Sequence, residues 1–299
     1  MKDVYAEVTQ KVISLMETHG ANWTKPWAGT KGSSSMPTSI SSGNQYSGIN
    51  VVLLWAAGRS DSRWGTYKAW SEKGCQVRKG ETATHIIFFK SLNIKEAQAD
   101  GSQSDKTIPL LKSFAVFCAD QVDGLPVIEQ AQPETADQAD ARVALALDFV
   151  ARAGANIEIL TGSARAYYSP TVDKIVVPAA SDFVGTTTSS AVESFAGVVL
   201  HELIHWTGHS KRLARTFGAS HGDANYAKEE LVAELGATFL CADLGISTEP
   251  RADHAQYLAS WLQVLKDDKR LIIRAASQAS KAAAYLHGLQ VPALVADAA

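Results

Sequence analysis

Cysteine is scarce in this chain. Only Cys75, Cys118 and Cys241 occur in 299 residues, an odd number, far apart and without C-x-x-C spacing. That excludes a disulfide framework and a cysteine zinc site, and fits reduced thiols in a cytoplasmic protein. No apolar run reaches the ~18 residues that a membrane helix needs, so no membrane partner is expected. The opening MKDVYAEVTQ has no apolar stretch of the kind a secretory signal carries. No internal repeat is present. Net charge is also small, at -3, which excludes a strongly basic polyanion binder.

That small total hides an asymmetry. Residues 1–125 hold 14 Lys/Arg against 11 Asp/Glu, a net of +3, and the remainder holds 14 against 20, a net of -6. Five of the seven tryptophans lie in the first 70 residues. Length favours two domains, and the polar stretch PVIEQAQPETADQAD marks a boundary between them. The expected division is 1–125, a linker at 126–140, and 141–299, each part mixing helices and strands in an α+β arrangement.

The second half contains VVLHELIHWTGH, residues 198–209. His201, Glu202 and His205 form H-E-x-x-H. On a helix, residues four apart share one face, so two imidazoles can hold one Zn²⁺, and Mn²⁺ or Co²⁺ suit the same donors. Glu202 then stands where it can take a proton from a bound water. Some 25 residues on comes YAKEELVAELGATFLCADLG, read as a second helix. Its run Glu230-Leu-Val-Ala-Glu234 resembles the E-x-x-A-[DE] third-ligand pattern of zincins, which implies Glu230 as third ligand, with Glu229 the alternative. Glu234, on the same face, is the acid expected to orient a ligating histidine. Small residues Ala233, Gly236 and Ala237 would let this helix approach another closely. His209, His221, Tyr226, His254 and Tyr257 are all open as a transition-state donor; at the position where an H-E-x-x-H-x-x-G-x-x-H spacing needs a third histidine stands Lys211.

Periodicity places further elements: helices over 3–19 and 46–58 (Asn50 near the start of the second), and strands over 85–90 and 113–120 joined by a polar hairpin at 93–107. A helix is expected over 141–154, and a strand at 156–160. A hairpin of AYYSP and KIVVP follows, whose edge can take a peptide by strand addition. The region 251–287 reads as helical. In the first half, cations and aromatics interleave as single-strand binders require. The candidates are Trp23, Lys25, Trp27, Trp64, Tyr67, Lys68, Trp70, Lys73, Arg78 and Lys79.

YSGINVVLLW, WGTYKAW, GCQVRKGETATHIIFFK and FAVFCADQVDGLP resemble the N-terminal domain of ArdC-type antirestriction proteins, which also stands at the front of certain plasmid primases. HELIHWTGH with YAKEELVAELGATFLCADLGI resembles the metallopeptidase-like domain of that family. The resemblance implies an N-terminal domain that binds single-stranded DNA without sequence preference and a zincin-like C-terminal domain. It implies a plasmid-encoded protein that shields incoming conjugative DNA from restriction, with host restriction-enzyme subunits as possible partners. His201, His205 and Glu230 would hold the metal, and Glu202 would act as general base. A second reading keeps the metal site as a structural remnant and assigns protection to DNA coating alone. A third is an ordinary zinc peptidase whose N-terminal half binds a protein.

Overall fold

The structure is a computed structural model. It describes residues 3–20, 36–97, 103–125, 135–163, 165–185, 189–218, 223–246 and 254–290. Helix α1 (Val4–His19) opens on Asp3, whose carboxylate accepts from the backbone N–H groups of Tyr5 and Ala6. Strand β1 (Thr38–Ser39), helix α2 (Ile49–Trp55), strand β2 (Arg63–Gly65) and helix α3 (Tyr67–Glu72) follow, then β3 (Gln76–Val77). Two long strands, β4 (Thr84–Ala97) and β5 (Gln103–Cys118), precede β6 (Val122–Asp123). The second half comprises α4 (Ala136–Arg152), β7 (Asn156–Leu160), β8 (Tyr167–Ser169), β9 (Lys174–Pro178), α5 (Ala191–Thr207), α6 (Ala224–Leu244), α7 (His254–Asp267) and α8 (Leu271–Gly288).

Three sheets result, with strand orders β1-β2-β5-β4, β3-β6 and β7-β9-β8. In the third, β7 runs parallel to β9 and β8 antiparallel, which leaves β8 at an edge. Two sequence expectations are corrected. The stretch expected as a polar hairpin is paired strand from Thr84↔Val116 to Ala97↔Gln103. Leu92, Ile94, Ile108 and Leu110 continue the alternation of a strand, and backbone pairing does not require the residues between them to be apolar. Helix α4 also starts earlier than 141. Thr135 accepts from Gln138 N–H while the Gln138 side chain accepts from Thr135 N–H, a reciprocal cap inside the polar stretch.

One apolar core runs through both halves. Val8, Val12 and Met16 of α1 and Val51 and Leu53 of α2 belong to the same buried cluster as Leu200, Leu203 and Ile204 of α5, Leu231 and Leu240 of α6, and Ile272 and Ala276 of α8. Polar ties cross the same seam: Thr9 Oγ1 donates to Lys269 O (2.7 Å), and Gly48 N–H to Ser280 Oγ (2.7 Å). All three cysteines are free and buried, and burial pushes the Cys118 thiol up to about 12.

The outer edge of β4 is closed by α2. Asn50 donates to Ile87 O (2.7 Å) and accepts from Ile87 N–H (2.8 Å), so one amide stands in for the missing neighbour strand at a buried position. Replacing Asn50 by Ala strands both backbone groups. At about 1–3 kcal/mol for each buried group left unpaired, Asn50→Ala should cost roughly 2–6 kcal/mol, read in urea unfolding as a lower midpoint at unchanged slope. A shift of under half a kcal/mol would show that water replaces the amide there.

Candidate metal centre and nucleic-acid surface

Helix α5 begins with a reciprocal cap between Ser190 and Glu193, then turns apolar on every side. A helix hydrophobic all round belongs in a core, and here residues 199–207 are all buried. His201, Glu202 and His205 are therefore carried inside, 4%, 3% and 7% exposed. Helix α6 is equally enclosed: Glu229, Glu230 and Glu234 are 5%, 8% and 6% exposed, so it is no solvated acidic edge. The two helices meet at Gly236, where an added Cβ would stand 2.8 Å from the Ile204 side chain.

That approach brings the chemistry together. Glu230 Oε2 lies 3.5 Å from His201 Nε2, and Glu230 Oε1 lies 3.4 Å from His205 Nε2. One ligand atom from each of the three falls within 4.8 Å of the others. Bonds of about 2.0–2.1 Å to a tetrahedral ion put neighbouring donors about 3.4 Å apart, so His₂Glu at these separations fits a divalent metal. The other nitrogens face acids. His205 Nδ1 donates to Glu229 Oε1 (3.2 Å), which leaves its Nε2 to bind an ion. His201 Nδ1 lies 3.7 Å from Glu234 Oε2, beyond hydrogen-bond distance. Glu229, the alternative ligand in the sequence, thus faces the far nitrogen of His205.

Electrostatics match the geometry. Burial disfavours a charged His205, but the Glu230 and Glu229 carboxylates outweigh it and raise the imidazole to about 10. Burial likewise opposes charge on Glu230 and Glu229, yet both carboxyls are held below their ordinary range: Glu230 by His205 and His201, Glu229 by His205 and Arg215.

The site opens into a cleft of about 220 Å³. Its floor is His201, Glu202, His205, Glu229 and Glu230, and its walls are Ala166, Tyr167, Tyr168 and Pro170 from the β8 edge, with Phe217, Gly218 and Tyr226. Among the candidate donors, Tyr226 lines this cleft. His209 instead accepts from Lys211 N–H (3.2 Å). His221 and the side chains of His254 and Tyr257 lie outside the described residues.

Sequence reading passed over two arginines here. Arg212 stacks 3.8 Å over Trp206, donates to Trp206 O, and grips Asp173, which also accepts from the Tyr168 hydroxyl (2.8 Å). Asp173 turns the β8–β9 hairpin at φ 50°, a conformation that Asp tolerates better than most residues. Arg215 grips Glu229 in the same way.

The nucleic-acid candidates separate. Trp23, Lys25 and Trp27 lie outside the described residues. Trp64 and Trp70 are 2% and 1% exposed, and Trp70 Nε1 donates to Phe117 O. An aromatic face must be accessible to stack on a base, so these two are corrected to core residues. Arg78 is spent within the fold, donating to Glu81 and to Asp120 O, with Asp123 at 3.6 Å. Lys73 and Lys79 are exposed, as are Lys68, paired with Glu72 at 3.6 Å, and Tyr67, whose hydroxyl accepts from Gln76. Three exposed rings were missed in the sequence because they sit in runs that read as core strand: Phe88, Phe89 and Phe114, with the Phe88 and Phe114 centroids 6.4 Å apart.

Two known families match this chain, one in each half. The family described as the N-terminal domain of anti-restriction factor ArdC matches residues 2–117, and the zincin-like metallopeptidase family matches residues 145–278. The crystal structure of the metal-free antirestriction ArdC protein from the R388 plasmid superposes with a TM-score of 0.77 at 36% identity, covering 96% of this chain and 98% of that one. The chain belongs to the ArdC family of antirestriction proteins. The Mn(II)-bound structure of the same ArdC gives a TM-score of 0.72 over the same coverage. Protein y4eC of Sinorhizobium fredii (strain NBRC 101917 / NGR234) is 35% identical over 96% of this chain and 92% of its own length. A DNA primase TraC of Escherichia coli is 34% identical over 95% of this chain, but the match spans only 20% of that primase. No helix among the described residues is long and apolar enough to cross a membrane.

The Arg212–Asp173 latch carries a pH dependence. The Arg212 hydrogen bond leads over burial in holding the Asp173 carboxyl down to about 2, below its ordinary 3.8. A depressed acid stabilises the fold above its unfolded value and loses that contribution as pH falls toward its folded value. The stability advantage of the wild type over Asp173→Asn should therefore be full at pH 6 and shrink between pH 4 and 2, measured by urea unfolding. An advantage independent of pH would mean that the pair contributes through shape alone.

Proposed function

We propose that this chain is a plasmid antirestriction protein with two linked activities. Its N-terminal half binds single-stranded DNA without sequence preference and shields incoming conjugative DNA. Its C-terminal half is a metal-dependent peptidase acting on protein at that DNA, with host restriction-enzyme subunits as the expected targets. The observation that carries the reading is the convergence of His201, His205 and Glu230 beside Glu202. They stand on the floor of a cleft walled by the β8 edge strand, in a chain of the ArdC family. His₂Glu with nitrogen and oxygen donors suits Zn²⁺ first, and Mn²⁺ or Co²⁺ as substitutes.

In this mechanism His201, His205 and Glu230 hold the ion. When bound, a divalent ion lowers the pKa of a water and polarises a carbonyl. The free edge of β8 aligns an extended peptide by backbone hydrogen bonds across the cleft mouth. Glu202 takes the water proton on its carboxylate and returns it to the leaving amine nitrogen. Glu229 would hold the His205 ring through Nδ1 so that its Nε2 is left for the ion, and Glu234, beside the His201 ring, is the acid placed to do the same there. On the DNA side, Lys68, Lys73 and Lys79 offer charge to phosphates, and Tyr67, Phe88, Phe89 and Phe114 offer exposed rings to bases.

Burial of all three donors also favours a second reading, in which the metal serves structure and protection comes from DNA coating. One assay separates the two: incubation of a restriction enzyme with the protein and Zn²⁺, with and without single-stranded DNA. Cleavage by the wild type, lost in Glu202→Ala while DNA affinity is kept, establishes the peptidase. DNA protection without cleavage, unchanged in Glu202→Ala, establishes coating. On the DNA side, Lys79→Ala should weaken binding to all sequences alike and lower the slope of log K against log salt by about one. An unchanged slope would remove Lys79 from the phosphate path.

A further inference from the structure

The last turn of α5 and the metal centre share one buried cation. Arg215 is 5% exposed at its side chain and uses every guanidinium nitrogen. Nε donates to Glu229 Oε2 (3.0 Å) and Nη2 to Glu229 Oε1 (2.8 Å), a two-pronged grip on one carboxylate. Nη2 also donates to Ile204 O (2.6 Å), and Nη1 to Thr207 Oγ1 (2.8 Å). Ile204 O is among the carbonyls that lose their intrahelical partner at a helix end, where positive charge is favoured. Arg215 therefore fastens the end of the ligand helix and Glu229 at once.

We propose that Arg215 is the positioning residue of the metal centre, deciding which of two adjacent glutamates binds the ion. This rests on the reading that His201, His205 and Glu230 hold a divalent metal. Glu229 and Glu230 are neighbours, both buried, both within reach of His205. Nothing in their chemistry makes one a ligand and the other an orienting acid. Arg215 does so by taking both oxygens of Glu229, leaving Glu230 to face the two Nε2 atoms. Glu229, so fixed, turns His205 through Nδ1. A lysine cannot reproduce this, because one ammonium lacks the planar fork that spans two oxygens and a carbonyl.

The test compares the whole protein with Arg215→Met, Arg215→Lys and Arg212→Met. The last is a control: Arg212 braces the same helix end through Trp206 O but makes no bond to Glu229. Titration calorimetry with Zn²⁺ and the visible spectrum of the Co²⁺ form give affinity and coordination geometry without any activity assay. Folded Arg215→Met should bind Zn²⁺ about 10–100-fold more weakly. Its Co²⁺ bands should change intensity as Glu229 enters the coordination sphere. Arg212→Met should keep the wild-type spectrum and affinity. In Arg215→Met/Glu229→Gln the two losses should not add, because both remove one link. Where Arg215→Met does not fold, Arg215→Lys decides, with a several-fold loss and a shifted spectrum expected. A folded Arg215 variant with wild-type spectrum and affinity within threefold overturns the proposal while leaving the metal site standing. A wild-type protein that binds neither ion overturns the metal reading, and this proposal with it.

Discussion

Four carboxylates buried in one place set the terms for this structure. Glu202, Glu229, Glu230 and Glu234 are each less than a tenth exposed. Buried charge is unfavourable unless it is paired and hydrogen-bonded. The fold supplies partners: Arg215 and His205 for Glu229, both imidazoles for Glu230, and the His201 ring near Glu234. Each partner is shared, so the group holds only while α5 and α6 keep their spacing. That requirement explains Gly236 facing Ile204, the apolar surround of both helices, and Arg215 joining the end of α5 to Glu229 of α6.

The same burial changes how the charge asymmetry is read. The second half is more acidic by sequence, but four of its acids are enclosed at the metal centre, so the surface charge is milder than the count suggests. The first half, in turn, is no separate globule in packing. Its α1 and α2 complete the core that α6, α7 and α8 begin. An amphipathic first helix needs an apolar face to lie on, and the C-terminal helices provide it. Helix α2 also reaches α6 directly, where the Trp55 and Phe239 ring centroids stand 5.8 Å apart.

Much of the centre was legible because helix geometry converts spacing into direction. His201 and His205 four apart must share a face, and the apolar run around them must be buried. Spacing alone does not separate Glu229 from Glu230: neighbours on a helix point about 100° apart, and what each one faces depends on tertiary contacts, the crossing of α5 over α6 and the Arg215 grip on Glu229. Tryptophan misled for a related reason. Trp64 and Trp70 look like base-stacking residues in a list, yet a large apolar ring is more stable in a core, and both serve there. The reverse held for Phe88 and Phe114, which sit in a strand-like run but remain exposed. Asn50 closing the β4 edge pairs residues 37 positions apart, which local periodicity does not encode.

The segment between α5 and α6 is the part that motif reading values least, and it joins the two sides of the cleft. Arg212 ties the end of α5 to Asp173 and Tyr168, and so to the strand edge where a peptide would align. Arg215, three residues on, ties the same helix end to Glu229, and so to the ligand set. Gly218 then lies against the Tyr226 backbone, where an added Cβ would meet the amide nitrogen at 2.1 Å. A peptidase must place a carbonyl against its general base to within a fraction of an ångström. Two helices alone fix the ligands, but they do not fix the strand relative to them. Here one short loop does both, with two arginines that cap the same helix from opposite sides. Arg212 thereby ties the β8 edge to the helix that carries Glu202.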